Sequence, residues 1–414
     1  MNKLARWSIA ALLLAACEPQ ETEEPTGVDV PNGPCGHALY VVSSDYQSTS
    51  AAIIGYDGGV LAPSMIDSGS DVSGLSVALS GDVVTPTTRT TSGSVVLIDR
   101  SASAVLTFLD PTTASVEQQI SVQTGFIQAN PQDVLEIASD KIYVSRYGAN
   151  PEPGVEEFDE GSDVLVVDPQ AGAIVGRIDL AGAMAGAAED IEPHPSRMVG
   201  SAERAYVLLS AYSRDFSKSD DGRIAVLDST SDTIADTLVL SGARGCYAFA
   251  IAPSGTRLAV GCSGTFNLTS TPNLDDSALL VLDLVDGGLT IAKRFDAVDI
   301  GDAPIGQSIA FVGDDTLMFS TMGQLDDAGS QRVPDRLLEL DIAAGDTREL
   351  LRTESVPFTI GDMRCETTCG ICFVADGDRN VVQRMEIDGA GVGALEAISI
   401  DDGIGLPPRY VGAY

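Results

Sequence analysis

Six charged side chains in this 414-residue sequence are placed so that they could meet at one site. Each lies at or near the start of a short strand that opens a repeated unit, and such starts converge on the axis when repeats form a ring. They are Asp133, His194, Arg197, Asp362, Arg364 and Arg409. Converging arginines are suited to an anionic ligand, because guanidinium groups present a planar fork of donors. The alternative is that these groups form salt bridges between the repeats.

Carboxylates provide the second candidate chemistry, because they are concentrated in long loops. The four loops are residues 148–162, 211–222, 263–277 and 322–335. Oxygen ligands of this kind bind calcium, although the closest approach to a dense calcium-loop spacing is the short run Asp376-Gly377-Asp378. Calcium is therefore the one cofactor for which the sequence offers ligands, and the alternative is that these loops are simply solvated.

Several other chemistries lack their parts in this chain. The two histidines, His37 and His194, do not belong to a nucleophile or zinc motif, so triad and metallohydrolase mechanisms are disfavoured. There is no nucleophile elbow and no glycine loop that would hold a phosphate. The net charge of −36 disfavours nucleic-acid binding, which depends on cationic groups that neutralise phosphates. The sequence thus favours a protein without catalytic activity.

Six of the seven cysteines lie in the part of the chain that follows the N-terminal segment, and they can form three pairs. Two pairs flank tight turns almost symmetrically, which places their members opposite each other on neighbouring strands. The last pair would join the first repeat to the seventh. The expected disulfides are Cys246–Cys262, Cys365–Cys372 and Cys35–Cys369. A zinc site built from the three cysteines between 365 and 372 is the alternative.

The elements that would position these groups are repeated strands. An apolar run that ends in aspartate occurs seven times, with a mean spacing of about 55 residues. The seven final residues are Asp57, Asp99, Asp168, Asp228, Asp283, Asp341 and Asp388. Turn-forming residues follow most of them, so we predict that these aspartates stabilise hairpin turns and are not catalytic.

Each repeat contains up to four alternating strands, which is typical of a propeller blade. The sequence therefore predicts an all-β fold over residues 35–414: a seven-bladed β-propeller with four-stranded antiparallel blades. The first repeat lacks an innermost strand, and residues 408–412 resemble the innermost strand at residues 196–200. We predict that the C-terminal strand closes the ring within blade one, which removes a free sheet edge.

The third repeat resembles a known sequence family. Residues 130–134, 141–147 and 164–168 read Asn-Pro-Gln-Asp-Val, Lys-Ile-Tyr-Val-Ser-Arg-Tyr and Val-Leu-Val-Val-Asp. This pattern is similar to the YVTN-type propeller repeat of surface-layer-like proteins. The resemblance implies the seven-bladed fold and implies little about activity, because propellers have many functions.

The N-terminus carries a second resemblance. Residues 1–16 have the short positive region and the apolar stretch of a signal peptide, and they end in Leu14-Ala15-Ala16 before Cys17. This ending resembles the lipobox of bacterial lipoproteins, which implies cleavage before Cys17 and lipidation of its thiol. Residues 17–34 are acidic and proline-rich, so we expect a disordered tether. Glu18 follows the cysteine, which favours the outer membrane within the cell envelope.

Three functions fit these observations. The first is a lipid-anchored, monomeric envelope propeller that binds or scaffolds an envelope protein or a small ligand without catalysis, and contacts the membrane only through its lipid. The second is a calcium-dependent propeller hydrolase of the lactonase or phytase type. The third is a structural component of a surface layer.

Overall fold

The computed structural model describes residues 27–30, 33, 35–100, 103–125, 128–201, 203–265, 274–325, 331–388, 391–400 and 403–414. The predicted signal peptide (residues 1–16), the lipidated Cys17 and most of the tether lie outside these residues. No helix in the described ranges is long and apolar enough to cross a membrane.

The described residues fold into seven four-stranded antiparallel sheets, which confirms the predicted seven-bladed propeller. Blade 1 contains β1 (Leu39–Ser44), β2 (Thr49–Ile54) and β3 (Val60–Asp67). Blade 2 contains β4 (Val83–Val84), β5 (Val95–Asp99), β6 (Val105–Asp110) and β7 (Ser115–Ser121). Blade 3 contains β8 (Pro131–Ala138), β9 (Lys141–Ala149), β10 (Gly161–Asp168) and β11 (Ala173–Ile178).

The second half of the ring repeats the same arrangement. Blade 4 contains β13 (Pro195–Ser201), β14 (Arg204–Leu209), β16 (Arg223–Asp228) and β17 (Thr233–Val239), and a short ribbon beside it pairs β12 (Ile191–Glu192) with β15 (Tyr212–Ser213). Blade 5 contains β18 (Cys246–Ile251), β19 (Arg257–Ser263), β20 (Ser277–Val285) and β21 (Gly288–Asp296). A single-turn helix, α1 (Ala297–Ile300), follows it, and 3-10 turns lie at Ala181–Met184 and Leu274–Asp276.

Blade 6 contains β22 (Ile305–Gly313), β23 (Thr316–Thr321), β26 (Arg336–Asp341) and β27 (Thr347–Arg352), with a ribbon of β24 (Gln324–Leu325) and β25 (Gln331–Val333). Blade 7 contains β28 (Ile360–Glu366), β29 (Ile371–Asp376), β30 (Val381–Asp388) and β31 (Gly391–Ile398). The last strand, β32 (Pro408–Ala413), is the innermost strand of blade 1.

The ring closes as the sequence predicts. Strand β32 pairs with β1, and Val411 lies opposite Val41. The chain just before β1 is also joined to blade 7, because Cys35 is disulfide-bonded to Cys369 with 5.8 Å between their Cα atoms. The first and last strands of the propeller are therefore joined in the sheet of blade 1, and a covalent bond connects the start of this blade to blade 7.

Apolar side chains fill the spaces between neighbouring blades. Every residue of β1 and β2 is buried, because each of these strands is covered on both faces. The contact between blades 1 and 2 also includes a polar bond, in which the Tyr40 hydroxyl donates to the Val96 carbonyl at 2.8 Å. This sheet-to-sheet packing holds the innermost strands in a fixed ring around the axis.

Blade 2 corrects the predicted register. The repeat pattern aligns the run that ends at Asp99 with the third strands of the other blades, but this run is the second strand of its blade, because β5 lies between β4 and β6. The third strand is β6, which ends at Asp110. The Asp99 carboxylate bonds the amide and hydroxyl of Ser80, whereas the Asp110 carboxylate bonds Thr112 within the next turn. With Asp110 in place of Asp99, the first two spacings become 53 and 58 residues, which matches the other repeats.

The predicted turn function holds for the aspartates that end the third strands of several blades. Asp168 accepts backbone hydrogen bonds from Gln170 and Ala171 at 2.8 and 2.9 Å. Asp228 and Asp341 bond the amides two and three residues ahead in the same way. These carboxylates lie at the outer hairpins, far along each blade from the axis.

Candidate functional site

The innermost strands of the seven blades surround a central channel. We define its upper face by the loops that join second and third strands and by the connections between blades. The lower face contains the turns between first and second strands. Side chains near the start of an innermost strand therefore lie in the upper part of the channel, and those near its end lie in the lower part.

A polar network fills part of the upper channel. The Arg100 guanidinium forms an ion pair with Asp82 and donates to the Gln132 side-chain oxygen at 3.1 Å. It also donates to the hydroxyls of Tyr247 and Tyr410, both at 3.4 Å. Burial raises the pKa of Tyr410 to about 12, so its hydroxyl stays neutral. Arg100 reaches this position because it directly follows β5, the second strand of blade 2.

A segment of blade 2 occupies part of the lower channel. Strand β4 is only two residues long, and Pro86 lacks the amide needed to continue its ladder. The following residues, 85–89, which we call the channel segment, turn towards the axis. The Arg197 guanidinium donates to the Thr85 carbonyl at 3.2 Å, and the Thr87 amide donates to Asp133 at 2.9 Å. Arg364 donates to two carbonyls of this segment at 2.8 and 2.9 Å.

The channel segment leaves a cavity of about 390 Å³ on its other side, bounded by the innermost strands of blades 4 to 7. We call this space the lower cavity. Its charged lining residues are Arg89, Arg197, Asp362, Arg364 and Glu366, and its polar ones include Gln307, Ser308 and the threonines Thr87, Thr88 and Thr367. Pro253 and Thr367, which lie in lower-face turns, mark the side on which it opens.

The electrostatics of the lower cavity differ from those of the rest of the molecule. Within the part of the chain that the structure describes, Arg197 and Arg364 form no ion pair, whereas most other arginines do. Both guanidiniums are held by backbone carbonyl oxygens. The nearby Asp362 carboxylate accepts from the Ser308 hydroxyl at 2.7 Å, and Glu366 is paired with Arg89. Three guanidiniums and two carboxylates thus line this cavity in a strongly acidic protein, and only one of the guanidiniums, that of Arg89, is in an ion pair among the described residues.

Three of the six candidate residues, Arg197, Asp362 and Arg364, line the lower cavity together. Asp133 is fully buried beside it, and its oxygens accept from the amides of Thr87, Val134 and Met198 at 2.7 to 2.9 Å. Burial raises the pKa of Asp133, although Arg197 and these donors act in the opposite direction. Asp133 therefore ties blades 3 and 4 to the channel segment.

His194 lies away from the channel. Its ring is packed between Tyr147 and Phe216, with centroid distances of 4.8 and 5.1 Å. Its Nδ1 is 2.7 Å from the Tyr147 carbonyl oxygen, and burial lowers the pKa of the imidazole below 6.5. The sequence placed His194 near a strand start, but its left-handed backbone turns it into the loops above blade 4.

Arg409 lies at the upper mouth of the channel, in a second cavity of about 80 Å³ that we call the upper cavity. Tyr46 and Phe358 line the same cavity, and they come from loops in blade 1 and before blade 7. The lower and upper cavities share Arg197 and Asp362 among their lining residues. Neither aromatic residue belongs to a repeated strand, so the repeat pattern does not point to either of them.

The acidic loops lie partly outside the described residues, since residues 266–273 and 326–330 are not among them. In the loop of residues 148–162, the Asp159 carboxylate accepts from the amides of Gly154, Val155 and Glu156, so it stabilises its own loop. Across the described ranges, no three acidic, histidine or cysteine side chains form a group that could hold a metal ion. Calcium binding stays a prediction.

The cysteines form the three expected pairs. Cys246 and Cys262 are direct partners on β18 and β19, and Cys365 and Cys372 are direct partners on β28 and β29. The third pair is Cys35–Cys369, described above. The sulfur atoms that the zinc alternative would require are therefore in disulfide bonds.

Comparison with known proteins shows the fold and leaves the family open. The sequence matches no protein-family model and no curated relative. Among solved structures, a putative 6-phosphogluconolactonase from Bacteroides uniformis has a TM-score of 0.55 at 13% identity, over 90% of this chain and 98% of that chain. The periplasmic gluconolactonase of Pseudomonas aeruginosa has a TM-score of 0.53 at 11% identity, over 90% and 98%. The β-propeller domain of Swd1 from Myceliophteria thermophila has a TM-score of 0.56 at 10% identity, over 85% and 94%.

Proposed function

We propose that this chain is a binding propeller that holds a small anion in the lower cavity. The observation that carries the proposal is the placement of Arg197 and Arg364, which face the cavity without an ion pair among the described residues. Guanidinium groups bind phosphate and carboxylate oxygens with strong, charge-assisted hydrogen bonds. The acidic surface repels anions in general, so a local pair of positive charges favours a small ligand that fits the cavity over a large polyanion.

The cellular setting is part of the same proposal. A lipid on Cys17 and an acidic tether would hold the propeller at the cell envelope, on the outer membrane, where it would act as a monomer. The three disulfides support an oxidising compartment, because such bonds persist outside the cytosol. Globomycin, which blocks cleavage before a lipidated cysteine, should shift the protein to its uncleaved mass, and Cys17→Ser should release it from membranes.

The binding proposal is tested with inorganic phosphate and citrate. Each anion should raise the melting temperature of the protein, because a ligand that binds only the folded state stabilises it. Arg364→Gln should weaken binding at least about tenfold, since it removes one charge-assisted interaction. Arg352→Gln is the matched control, because Arg352 is exposed and pairs with Glu349 on the surface.

Two results would contradict this proposal. One is a thermal shift that is equal in the Arg364→Gln and Arg352→Gln proteins, which would show that the anions act elsewhere. The other is the absence of any shift at low ionic strength, where electrostatic binding is strongest.

A lactone hydrolase is the second candidate, and the structural likeness to two gluconolactonase-type propellers supports it. In this version, the lower cavity would bind a sugar lactone, and a carboxylate such as Glu366 would activate water. Burial raises the pKa of Glu366, against the effect of Arg364 and Arg89. Hydrolysis of gluconolactone, with and without calcium, measures this activity directly. No rate above the uncatalysed reaction would exclude it for that substrate.

A further inference from the structure

We propose that the upper cavity is a separate binding site for a sugar residue that carries a carboxylate. Tyr46, Phe358 and Arg409 form this site at the upper mouth of the channel. The two aromatic rings are exposed, at 60% and 52%, and they line the same small cavity as the guanidinium. The proposed anion site in the lower cavity neither requires nor predicts this second site.

The backbone at both aromatic residues is strained. Tyr46 and Phe358 each have a φ of 66°, in the left-handed region that side chains with a Cβ seldom adopt. Such residues persist only where the surrounding structure holds them, and they cluster at ligand sites. Burial of the rings cannot explain the strain here, because both side chains are more than half exposed. The left-handed backbone conformation thus places two aromatic rings at the channel mouth, where they stay exposed.

One guanidinium links the two loops. Arg409 donates to the carbonyl of Ser44, two residues before Tyr46, at 3.2 Å, and to the carbonyl of Phe358 at 3.3 Å. Its guanidinium carbon lies 5.0 Å from the centre of the Tyr46 ring. Among the described residues, Arg409 forms no ion pair. The cation is thus fixed beside an aromatic face and remains available to an anionic group.

A buried carboxylate fixes the loop that carries Phe358. Asp335 is 2% exposed, and it accepts from the amides of Thr359 and Ile360 at 2.8 and 3.3 Å. It also accepts from the Gly323 amide, which connects this loop to blade 6. The Tyr46 loop is held by the Ser44 hydroxyl, which accepts from the Tyr46 amide at 2.9 Å. Both loops are therefore ordered before any ligand arrives, which lowers the entropy cost of binding.

The chemistry of this site selects the ligand class. Aromatic faces bind the apolar C–H surfaces of sugar rings, and the floor of the cavity offers polar partners in Gln307, Ser308 and Asp362. The guanidinium of Arg409 adds a preference for a carboxylate. A sugar acid satisfies all three features, whereas a neutral sugar leaves the cation without a partner and a simple anion leaves the aromatic rings exposed.

The test uses galacturonate and its methyl ester, which share the sugar ring and differ in the charge of the carboxyl group, in calorimetric titrations of the protein. We expect the acid to bind and the ester to bind at least about tenfold more weakly. Tyr46→Gly and Phe358→Gly should each weaken binding of the acid by about tenfold. Their melting temperatures should equal or exceed that of the unchanged protein, because glycine adopts a positive φ without strain.

Phe216→Gly is the matched control. Phe216 lies on the same face, is half exposed and has a φ of 58°, but it does not line the upper cavity. This variant should bind galacturonate as the unchanged protein does. A loss of affinity equal to that of Tyr46→Gly would overturn the proposal, as would equal binding of acid and ester or no binding of either.

The two proposed sites share Arg197 and Asp362, and variants of residues that line only one cavity distinguish them. Arg364 lines only the lower cavity and not the upper one. The residues that line only the upper cavity include Tyr46, Phe358 and Arg409. Phosphate titrations of Tyr46→Gly therefore report on the anion site without the Tyr46 ring, and galacturonate titrations of Arg364→Gln report on the upper cavity without the Arg364 charge. Loss of the phosphate response in every protein, with binding of the sugar acid intact, would refute the proposed function and leave this inference standing.

Discussion

Blades 2 and 3 are neighbours in the ring and have the same four-strand order, but they differ at the channel. In blade 3, the innermost strand β8 has eight residues and pairs along its length with β9. In blade 2, the innermost strand β4 has two residues, and the chain then leaves the sheet to form the channel segment. The regular blade carries the repeat pattern, and the irregular blade shapes the lower cavity.

The difference shows how a repeat fold gains a specific site. Six other innermost strands supply a wall of similar outline, and one shortened strand supplies a segment whose carbonyls orient Arg197 and Arg364. The departure from the repeat is therefore what directs positive charge into the lower cavity.

The largest expected effect comes from breaking the regular blade. Asp163 on β10 forms a fully buried ion pair with Arg146 on β9, at 2.7 Å, and also bonds Arg177 on β11. Both members of the first pair are 0% exposed. Asp163→Ala leaves a buried guanidinium without its counter-charge, so we expect a loss of about 3–5 kcal/mol in the free energy of unfolding. Chemical denaturation measures this change.

Glu160→Ala is the control for this variant. Glu160 pairs with the same Arg177, at 3.3 Å, but its side chain is 46% exposed. Its removal should change stability by less than about 1 kcal/mol, because exposed ion pairs contribute little. Equal losses in the two variants would show that the buried pair does not hold blade 3 together.

The predictable part of the molecule is the part that repeats. Seven blades, the closure by β32 and the three cysteine pairs follow from local patterns and their spacing. The predicted register of blade 2 is wrong because two successive runs both end in aspartate, at Asp99 and Asp110, and only the second aspartate is followed by proline. The Asp110-Pro111 pair is the signal that would have distinguished them.

The site was only partly predictable, because its contacts join distant parts of the chain. The sequence points to three of the site residues because each lies at or near the start of an innermost strand: Arg197, Asp362 and Arg364. Arg100 was missed, since its partner Tyr410 lies 310 residues away in sequence. Tyr46 and Phe358 were missed because no local pattern marks an aromatic residue that is held at positive φ.

A smaller effect is expected where the two blades meet. Asp133, at the start of β8, accepts the Thr87 amide of the channel segment and the Met198 amide of blade 4. In Asp133→Asn, one carboxylate oxygen becomes an NH₂ group that faces a hydrogen-bond donor. We therefore expect the free energy of unfolding to fall by about 1–3 kcal/mol. Hydrogen exchange at Thr87 and Met198 should become faster than in the unchanged protein.

The control for this comparison is Ser308→Ala, which removes the hydroxyl between Asp362 and the Met363 amide on the opposite wall. This variant should make hydrogen exchange of the Met363 amide faster and leave the exchange rate of the Thr87 amide unchanged. If exchange at Thr87 is unaffected in Asp133→Asn, the channel segment is held by Arg364 and Arg197 alone.

The smallest expected effect concerns the outer hairpins, where the corrected register makes blades 2 and 3 alike. Asp110 and Asp168 occupy the same turn position. Replacing either one with asparagine should lower the free energy of unfolding by about 0.5–1 kcal/mol at neutral pH, because it weakens hydrogen bonds to the turn. Burial acts to raise the pKa of Asp110, but hydrogen bonds from Thr112 and Thr113 outweigh it and lower the pKa below 3.8.

The sign of the pH dependence follows from that shift. A carboxyl whose pKa is lowered by folding stabilises the folded state above its unfolded pKa, and the stabilisation is lost as the pH falls. The difference in unfolding free energy between the unchanged protein and Asp110→Asn should therefore be larger at pH 7 than below pH 3.8. A constant difference across this range would mean that the Asp110 carboxylate does not stabilise its turn through charge, and blade 2 would then differ from the regular blades at its outer edge as well as at the channel.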